Sequence, residues 1–444
     1  MERDLTKGVA WKTILLFAIP IMGSNLLQIG YNLADSIIVG NFVSSTALGA
    51  IGVTSSTMWL LLNIVTGIGT GTSITLSQYF GAKKEKDIES TISTVLIFSI
   101  IASLCITVLC FIFARLIIWN FLGTPAEMYE DSRNYFVIYS CGMIFQMIYN
   151  VTYGILRAHG NSKGSLIFLL IAAILNVILD LLFVIVFKWG VKGAAFATVI
   201  SQAGSAIASV IYMWRLFPHL KFERSQWVFV KEKLIIVLRL AIPIILQSSV
   251  IAFGFIILQR LINSFGPASI EGFVAMNKAE QLLHIPSNAF NVAISNFTGH
   301  NIGAKQIEHI KKGYKSTIIM ASSFCIIIVI FILFYGKNIL AMFNITDDAM
   351  IRGSEHLYTV AAFMIFSTVN NITGGLLQGA GDVKVTTIAG FINLSIRLIA
   401  AYTMAATIIN FRSIYFSLPP AWITACLITV TRYRSGKWQN KAIS

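Results

Sequence analysis

Charge is what this chain has least of. Asp, Glu, Lys and Arg together make up 12% of 444 residues, against 56% hydrophobic residues, which is too apolar for a soluble domain with a solvated surface. A mean hydropathy of +0.77 agrees, and the chain reads as a membrane protein. Cysteine is also scarce. Cys105, Cys110, Cys141, Cys325 and Cys426 all fall in apolar runs, so they read as small hydrophobes rather than a disulfide framework. The six histidines are scattered, and none stands with Cys or carboxylates at metal-ligand spacing, so neither a metal centre nor any other cofactor is expected. No GxxxxGK[ST] sequence occurs, which argues against bound ATP as an energy source. The N-terminus, MERDLTKG, is charged and leads into an apolar run too long for the core of a signal peptide, so no cleavable leader is expected.

What the sequence has instead is long runs almost free of charge. Crossing roughly 30 Å of hydrocarbon at ~1.5 Å per helical residue takes about 20 residues, and twelve runs qualify. They cover 13–40, 47–77, 90–114, 134–156, 164–187 and 194–214, then 236–260, 270–302, 316–336, 355–378, 385–410 and 413–431. Their apolar residues are continuous rather than alternating, so helices are expected and not a barrel. With both termini inside, the inner segments hold 22 Lys and Arg and the outer loops 7, the bias of cytoplasmic loops. That distribution accounts for the net charge of +14 without a nucleic-acid partner.

The chain repeats itself. FAIPIM (17–22) recurs as LAIPII (240–245), QYFGAKKEKDI (78–88) as HNIGAKQIEHI (300–310), and YGILRAHGNSK (153–163) as GGLLQGAGDVK (374–384), at offsets of 223, 222 and 221. Each half is therefore one copy of a six-helix unit. Six is even, so the copies start on the same face, as in parallel-repeat transporters. The expected fold is an all-α polytopic membrane protein of two six-helix lobes related by pseudo-two-fold symmetry. The lobes are 1–214 and 235–444, with a basic, aromatic linker over 215–234 on the cytoplasmic side, where it could equally be a solvated loop or lie along the headgroups.

Few ionisable groups remain at membrane depth, and each needs a reason, because one near mid-bilayer costs about 2.5 to 3.5 kcal/mol on insertion scales. Asp35 and Asp180 are the two in the first lobe, whose spans contain no cation. A salt bridge within that lobe is thus excluded. Counting to the ends of their spans puts both roughly 9 to 12 Å below the outer surface. Ser24, Gln28, Tyr31 and Asp35 lie on one helical stripe, Asn176 and Asp180 are one turn apart, and Asn150 and Thr198 add uncharged oxygens. Such oxygens can bind a proton or Na+. The plainer alternative is that the two acids only hydrogen-bond helices together.

The second lobe does not copy this pair. Carried through the repeat, Asp35 meets Leu258, Gln28 meets Ile251, Asn176 meets Arg397 and Asp180 meets Ala401. Arg397 and Glu280 lie near mid-depth of their spans, so an ion pair between them is expected, either packing the lobe or facing substrate. Pro20 breaks the ladder of the first helix, which can bend there. Gly67, Gly69 and Gly71 lie in a charge-free run with no following Lys, so they read as close helix packing rather than a phosphate loop.

Taken together, twelve spans in two lobes, Pro20 and Asp35 in the first helix, GAKK and NIGAK after the second and eighth, and LNVILD in the fifth resemble the multidrug and toxic compound extrusion (MATE) family, in its DinF-like bacterial branch. The resemblance implies a secondary antiporter with the MOP superfamily fold, not an enzyme. It would export organic cations or amphipathic compounds across the cell (plasma or inner) membrane in exchange for H+ or Na+, as a monomer with both termini cytoplasmic. The family's cation site corresponds to Asp35, Asn176, Asp180 and Thr198, with Gln28, Tyr31 and Asn150 around it, and its bending helix to Pro20. The acids some members carry in the second lobe's first helix are missing between Arg239 and Arg260, and Glu280 is the nearest substitute. Two rivals remain. A lipid-linked precursor flippase of the same superfamily would want extra spans and a cationic cavity. A membrane-embedded enzyme would want paired carboxylates, and Asp347 with Asp348 falls in an outer loop.

Overall fold

The computed structural model describes residues 4–217, 227–343, 345–407 and 410–442, and every regular element among them is helical. The first half forms α1 (Ala10–Phe42), α2 (Ser45–Gly81), α3 (Glu85–Arg115), α4 (Ala126–Cys141), α5 (Met143–Ala158), α6 (Ser162–Asp180) and α7 (Gly190–Leu216). The second forms α8 (Lys231–Ser264), α9 (Pro267–Leu283), α10 (Ile285–Gly303), α11 (Ile307–Ala341), α12 (Asp347–Gly379), α13 (Val383–Ala405), α14 (Ser413–Phe416) and α15 (Leu418–Arg434). Among the described residues ten helical stretches are long and apolar enough to cross a membrane. Large apolar side chains such as Phe111, Phe121 and Phe334 stand exposed along them, which suits lipid and not water.

The two other expected spans exist but are divided. The span expected over 134–156 breaks at Gly142 between α4 and α5, and that over 270–302 breaks at His284 between α9 and α10. Pro286 stands in the first turn of α10; without an amide proton it cannot continue the ladder of α9. Pro20 and Pro243, by contrast, are taken up inside the unbroken α1 and α8. Of the linker expected over 215–234, residues 218–226 lie outside the described residues, as do 408–409 at the end of the span expected over 385–410.

Two of the three sequence repeats turn out to be helix ends. Lys83 and Lys305, the lysines of the two GAK motifs, both adopt left-handed backbone (φ 55° and 59°). The next amides, Lys84 N and Gln306 N, reach back to Tyr79 O and Asn301 O at 3.0 and 2.7 Å, the six-to-one bond of a Schellman cap. The third repeat does the same with glycine. Gly160 and Gly381 have φ of 80° and 90°, and Asn161 N and Asp382 N bond Leu156 O and Leu377 O at 2.9 and 2.8 Å. The two halves thus end these helices at equivalent positions, although the breaks at Gly142 and His284 fall in different members of each pair.

Packing divides the molecule into two compact units whose membership crosses chain order. One runs from Gly23 to Ile242; the other combines Asp4–Met22 with Pro243–Ser444. The handover falls within α1 just after Pro20 and within α8 just before Pro243. Accordingly Leu5, Ile14, Phe17 and Ile21 sit in one core with Phe290, Phe297, Leu376 and Trp438, and Asn301 Nδ2 donates to Leu5 O at 3.0 Å. In the first unit Lys233 Nζ, at the start of α8, bonds Asp87 Oδ1 at 2.6 Å and Tyr79 Oη at 3.2 Å, while Thr94 Oγ1 bonds Val228 O and Val230 N.

The second unit also holds a shielded ion pair, Arg432 Nε to Asp382 Oδ2 at 2.6 Å, with Asp382 only 5% exposed. Replacing Asp382 by Asn leaves a mostly buried guanidinium without its counter-charge, which costs about 3 kcal/mol or more. A clear drop in the thermal midpoint of the purified protein is expected; an unchanged midpoint would mean the pair contributes nothing.

Candidate functional site

The first unit brings Asp35 and Asp180 together. Their carboxyls lie within hydrogen-bonding reach of each other, Asp35 near the end of α1 and Asp180 as the last residue of α6. The chain then widens into a π-helical turn, Leu181–Val186, a distortion that tends to mark functional positions. Asp180 is 0% exposed. Two carboxylates cannot hydrogen-bond while both are ionised, and among the described residues neither Asp180 oxygen nor Asp35 Oδ1 finds another protein donor. Asn176, one turn before Asp180 on α6, is buried with both amide atoms unpartnered. Unpaired polar atoms at such depth are costly unless something satisfies them.

The other unit supplies a control for that meeting. Leu258 and Ala401, the counterparts of Asp35 and Asp180 by the repeat, sit in one apolar cluster with Phe273 and Ile414. Both lobes therefore join these two helices at the same level. One seals the junction with hydrocarbon, and the other places two acids there.

Around the acids, Tyr31 hydrogen-bonds Gln28, whose side chain is otherwise exposed, and lies within electrostatic reach of Asp35. Asn150 Nδ2 donates to Gln146 O at 2.9 Å and approaches Gln146 Oε1 at 3.4 Å, and Gln146 Nε2 reaches Tyr139 Oη at 3.4 Å. Tyr139 stacks on Tyr135 at 5.9 Å, and Tyr135 is within reach of both carboxylates. Tyr135, Tyr139 and Gln146 are thus part of the site and were not picked out from the sequence. Their signal was the run 135, 139, 146, 150, one helical face carried across the break at Gly142. Thr198 Oγ1 donates to Ala194 O of its own helix at 3.0 Å, leaving its lone pairs free to coordinate.

In the second unit the expected Arg397 to Glu280 pair is not made. Glu280 Oε1 instead meets His284 Nε2 at 3.3 Å, because His284 follows one turn later at the break between α9 and α10. The Arg397 guanidinium stands over the Phe255 ring at 5.1 Å, and its buried Nε has no partner among the described residues. It still feels the Glu280 charge but does not touch it. The close-packing reading holds at Gly69 and Gly71. A Cβ on Gly69 would meet Asn150 O at 2.6 Å, and one on Gly71 would meet Ala241 Cβ and Val237 O at 2.9 Å. All five cysteines are free.

Among the described residues no group of three or more His, Cys, Asp or Glu could hold a metal ion. Two facing carboxylates, with the Asn176 carboxamide one turn away on α6, form a hard oxygen donor set, suited to a proton or a small alkali cation rather than a transition metal.

Helical spans repeated in two lobes, with shielded acids in one of them, define a polytopic transporter. A family model described as MatE matches residues 20–182 and 243–403, one block for each repeat, and the chain belongs to that family of membrane transporters, which are not enzymes. It is 27% identical over 98% of its length, and 97% of the relative's, to the probable multidrug resistance protein YpnP of Bacillus subtilis. It is 23% identical to the probable multidrug resistance protein NorM of Thermotoga maritima, over 97% and 94% of the two chains. Among solved structures, a MOP superfamily transporter from Pyrococcus furiosus matches with a TM-score of 0.90 over 98% of both chains at 22% identity. An outward-facing multidrug resistance MATE family transporter matches at 0.89 over 98% of both chains, again at 22% identity.

Proposed function

We propose that the protein is a multidrug exporter of the cell membrane that moves organic cations or other amphipathic compounds outward in exchange for inward H+ or Na+. The observation that carries this is the meeting of Asp35 and Asp180 with buried oxygens unpaired. Two close, ionised carboxylates repel each other in a poorly solvated site, so a proton or a cation between them is strongly favoured. Na+ fits the same oxygens, with Asn176 and Thr198 completing its shell. In this reading Gln28, Tyr31 and Asn150 line the approach, Glu280 and Arg397 are the second lobe's candidates for contact with substrate, and Pro20 lets α1 change its bend as the acids are neutralised. Substrate and cation then exclude each other from one lobe. The excess of Lys and Arg on one side of the spans supports cytoplasmic termini, and multidrug resistance relatives matched end to end support the cargo class.

Purified protein in proteoliposomes loaded with ethidium tests the scheme under an imposed pH gradient and then an imposed Na+ gradient. Efflux driven by at least one gradient and lost in both Asp35→Asn and Asp180→Asn is the expected result. Equal efflux by all three proteins, or efflux that needs neither gradient, would sink it.

A further inference from the structure

The second unit contains a partly open cavity of about 180 Å³ lined by residues of α8, α10, α12, α13 and α15. Six carboxamides line it, Gln247, Asn291, Asn370, Asn371, Gln378 and Asn393, together with the ring of Trp422. Among the described residues no ionisable side chain takes part in the lining. A wall of amides is unusual inside a membrane lobe, where each polar group must be satisfied. Oxygen and nitrogen in equal supply, with no net charge, match a ligand of the same kind.

Four of the amides form a fixed frame. Asn291 Nδ2 donates to Asn371 O and Oδ1 at 2.6 and 3.1 Å, and Asn371 Nδ2 donates to Ser287 Oγ and Asn288 Oδ1 at 3.0 and 2.9 Å, clasping α10 to α12. Thr429 Oγ1 bonds Asn370 Oδ1 at 3.0 Å, joining α15 to α12. Asn393 Nδ2 donates to Ala421 O at 3.1 Å, joining α13 to α15. Gln247 and Gln378, neither of them fully buried, have no protein partner for their amide heads among the described residues. Room for one of them is built in: a Cβ on Gly390 would lie 2.6 Å from Gln247 Nε2. The cavity is thus a rigid ring of held amides carrying two free amide heads and one aromatic face.

We propose that this cavity is a ligand subsite of the exporter that takes a neutral group rich in hydroxyls or amides, of the size of one small ring, and not the charged part of a cationic drug. Each free head offers two donors and an acceptor, so a hydroxyl or amide on the ligand replaces water bonds one for one. The Trp422 face stacks on a flat ring. An organic cation entering here would leave its water without meeting a counter-charge, which disfavours it. The lobes would then divide the work, with acids governing ion exchange in one and amides recognising neutral polar cargo in the other.

The inference rests on the export reading, and equilibrium binding without any gradient separates the two. Radiolabelled chloramphenicol, a neutral amide diol carrying an aryl ring, and tetraphenylphosphonium, a cation without hydrogen-bonding groups, are the probes. Both are measured on purified full-length protein in lipid nanodiscs. Chloramphenicol is expected to bind, and Gln378→Leu and Gln247→Leu are each expected to weaken it about ten-fold, the effect of one lost hydrogen bond, with tetraphenylphosphonium unmoved. Gln378→Glu is expected to weaken chloramphenicol and strengthen the cation. Gly390→Ala, which crowds the Gln247 head without removing it, repeats the chloramphenicol loss should a leucine variant fail to fold. Absent chloramphenicol binding, or equal losses for both probes, overturns the subsite. Normal binding with no gradient-driven efflux defeats only the coupling scheme.

Discussion

Replacing Asp180 by Asn is expected to reduce gradient-driven efflux by about 100-fold while leaving the protein at least as stable as before. The two effects have one cause. Asp180 is fully buried with both oxygens unpaired, so its charge is favourable only when a proton or cation shares it with Asp35. Asn keeps the shape and removes that charge, and a loss of ~3 kcal/mol in ion binding corresponds to about 100-fold. Removing an uncompensated buried carboxyl also relieves the folded state. Efflux in proteoliposomes and thermal unfolding of the same preparation check both halves. Lost transport with a sharply lower midpoint would instead make Asp180 a structural hydrogen-bonding residue.

The second large effect concerns helix crossings. A Cβ on Gly154 of α5 would overlap the Gly69 carbonyl oxygen of α2, and one on Gly375 of α12 would sit 2.5 Å from the Asn291 carbonyl oxygen of α10. These two glycines are equivalent by the repeat, and in each case the obstacle is backbone, which cannot rotate away. Overpacking of this kind costs typically 1 to 3 kcal/mol, occasionally more, so Gly154→Ala and Gly375→Ala are each expected to lower folded yield severely. Gly52→Ala is the matched control. Nothing lies within 4 Å of its added methyl, and alanine is the better helix former by ~1 kcal/mol. Detergent-extracted protein surviving a heating series, read by size-exclusion chromatography, distinguishes the three; similar survival would mean that the crossings yield.

Much of this architecture was legible in the sequence because the membrane imposes it. A bilayer demands long apolar helices, so the spans could be counted from composition, and a duplicated unit keeps its stops, so GAKK and NIGAK marked matching ends. The acids were legible for the same reason: a carboxylate amid apolar residues has few explanations. The breaks at Gly142 and His284 were not, because hydropathy continues across them and only local backbone chemistry interrupts the ladder. The π-helical turn after Asp180 leaves no trace in residue type. The Arg397 to Glu280 pair failed because equal depth does not fix rotation about a helix, and His284 lay one turn away from Glu280. The amide-lined cavity escaped for a further reason. Its residues come from five helices, and although Ser367, Asn370, Asn371, Gly374 and Gln378 form one stripe along α12, they carry no charge, so they do not stand out as the two acids do.

The exchanged helix starts constrain how the protein can be made. Leu5 to Ile21 leave the ribosome long before Phe290, Phe297 and Trp438, which share their core, have been translated. The opening stretch of α1 must therefore wait in the bilayer until the helices of the second unit that bury it have been made. The gene accordingly cannot be cut near residue 230 into two self-sufficient pieces, since each fragment would carry off the lid of the other's core. Final closure of the second unit therefore comes late, and removing Trp438 uncovers part of the core in which Leu5 to Ile21 sit.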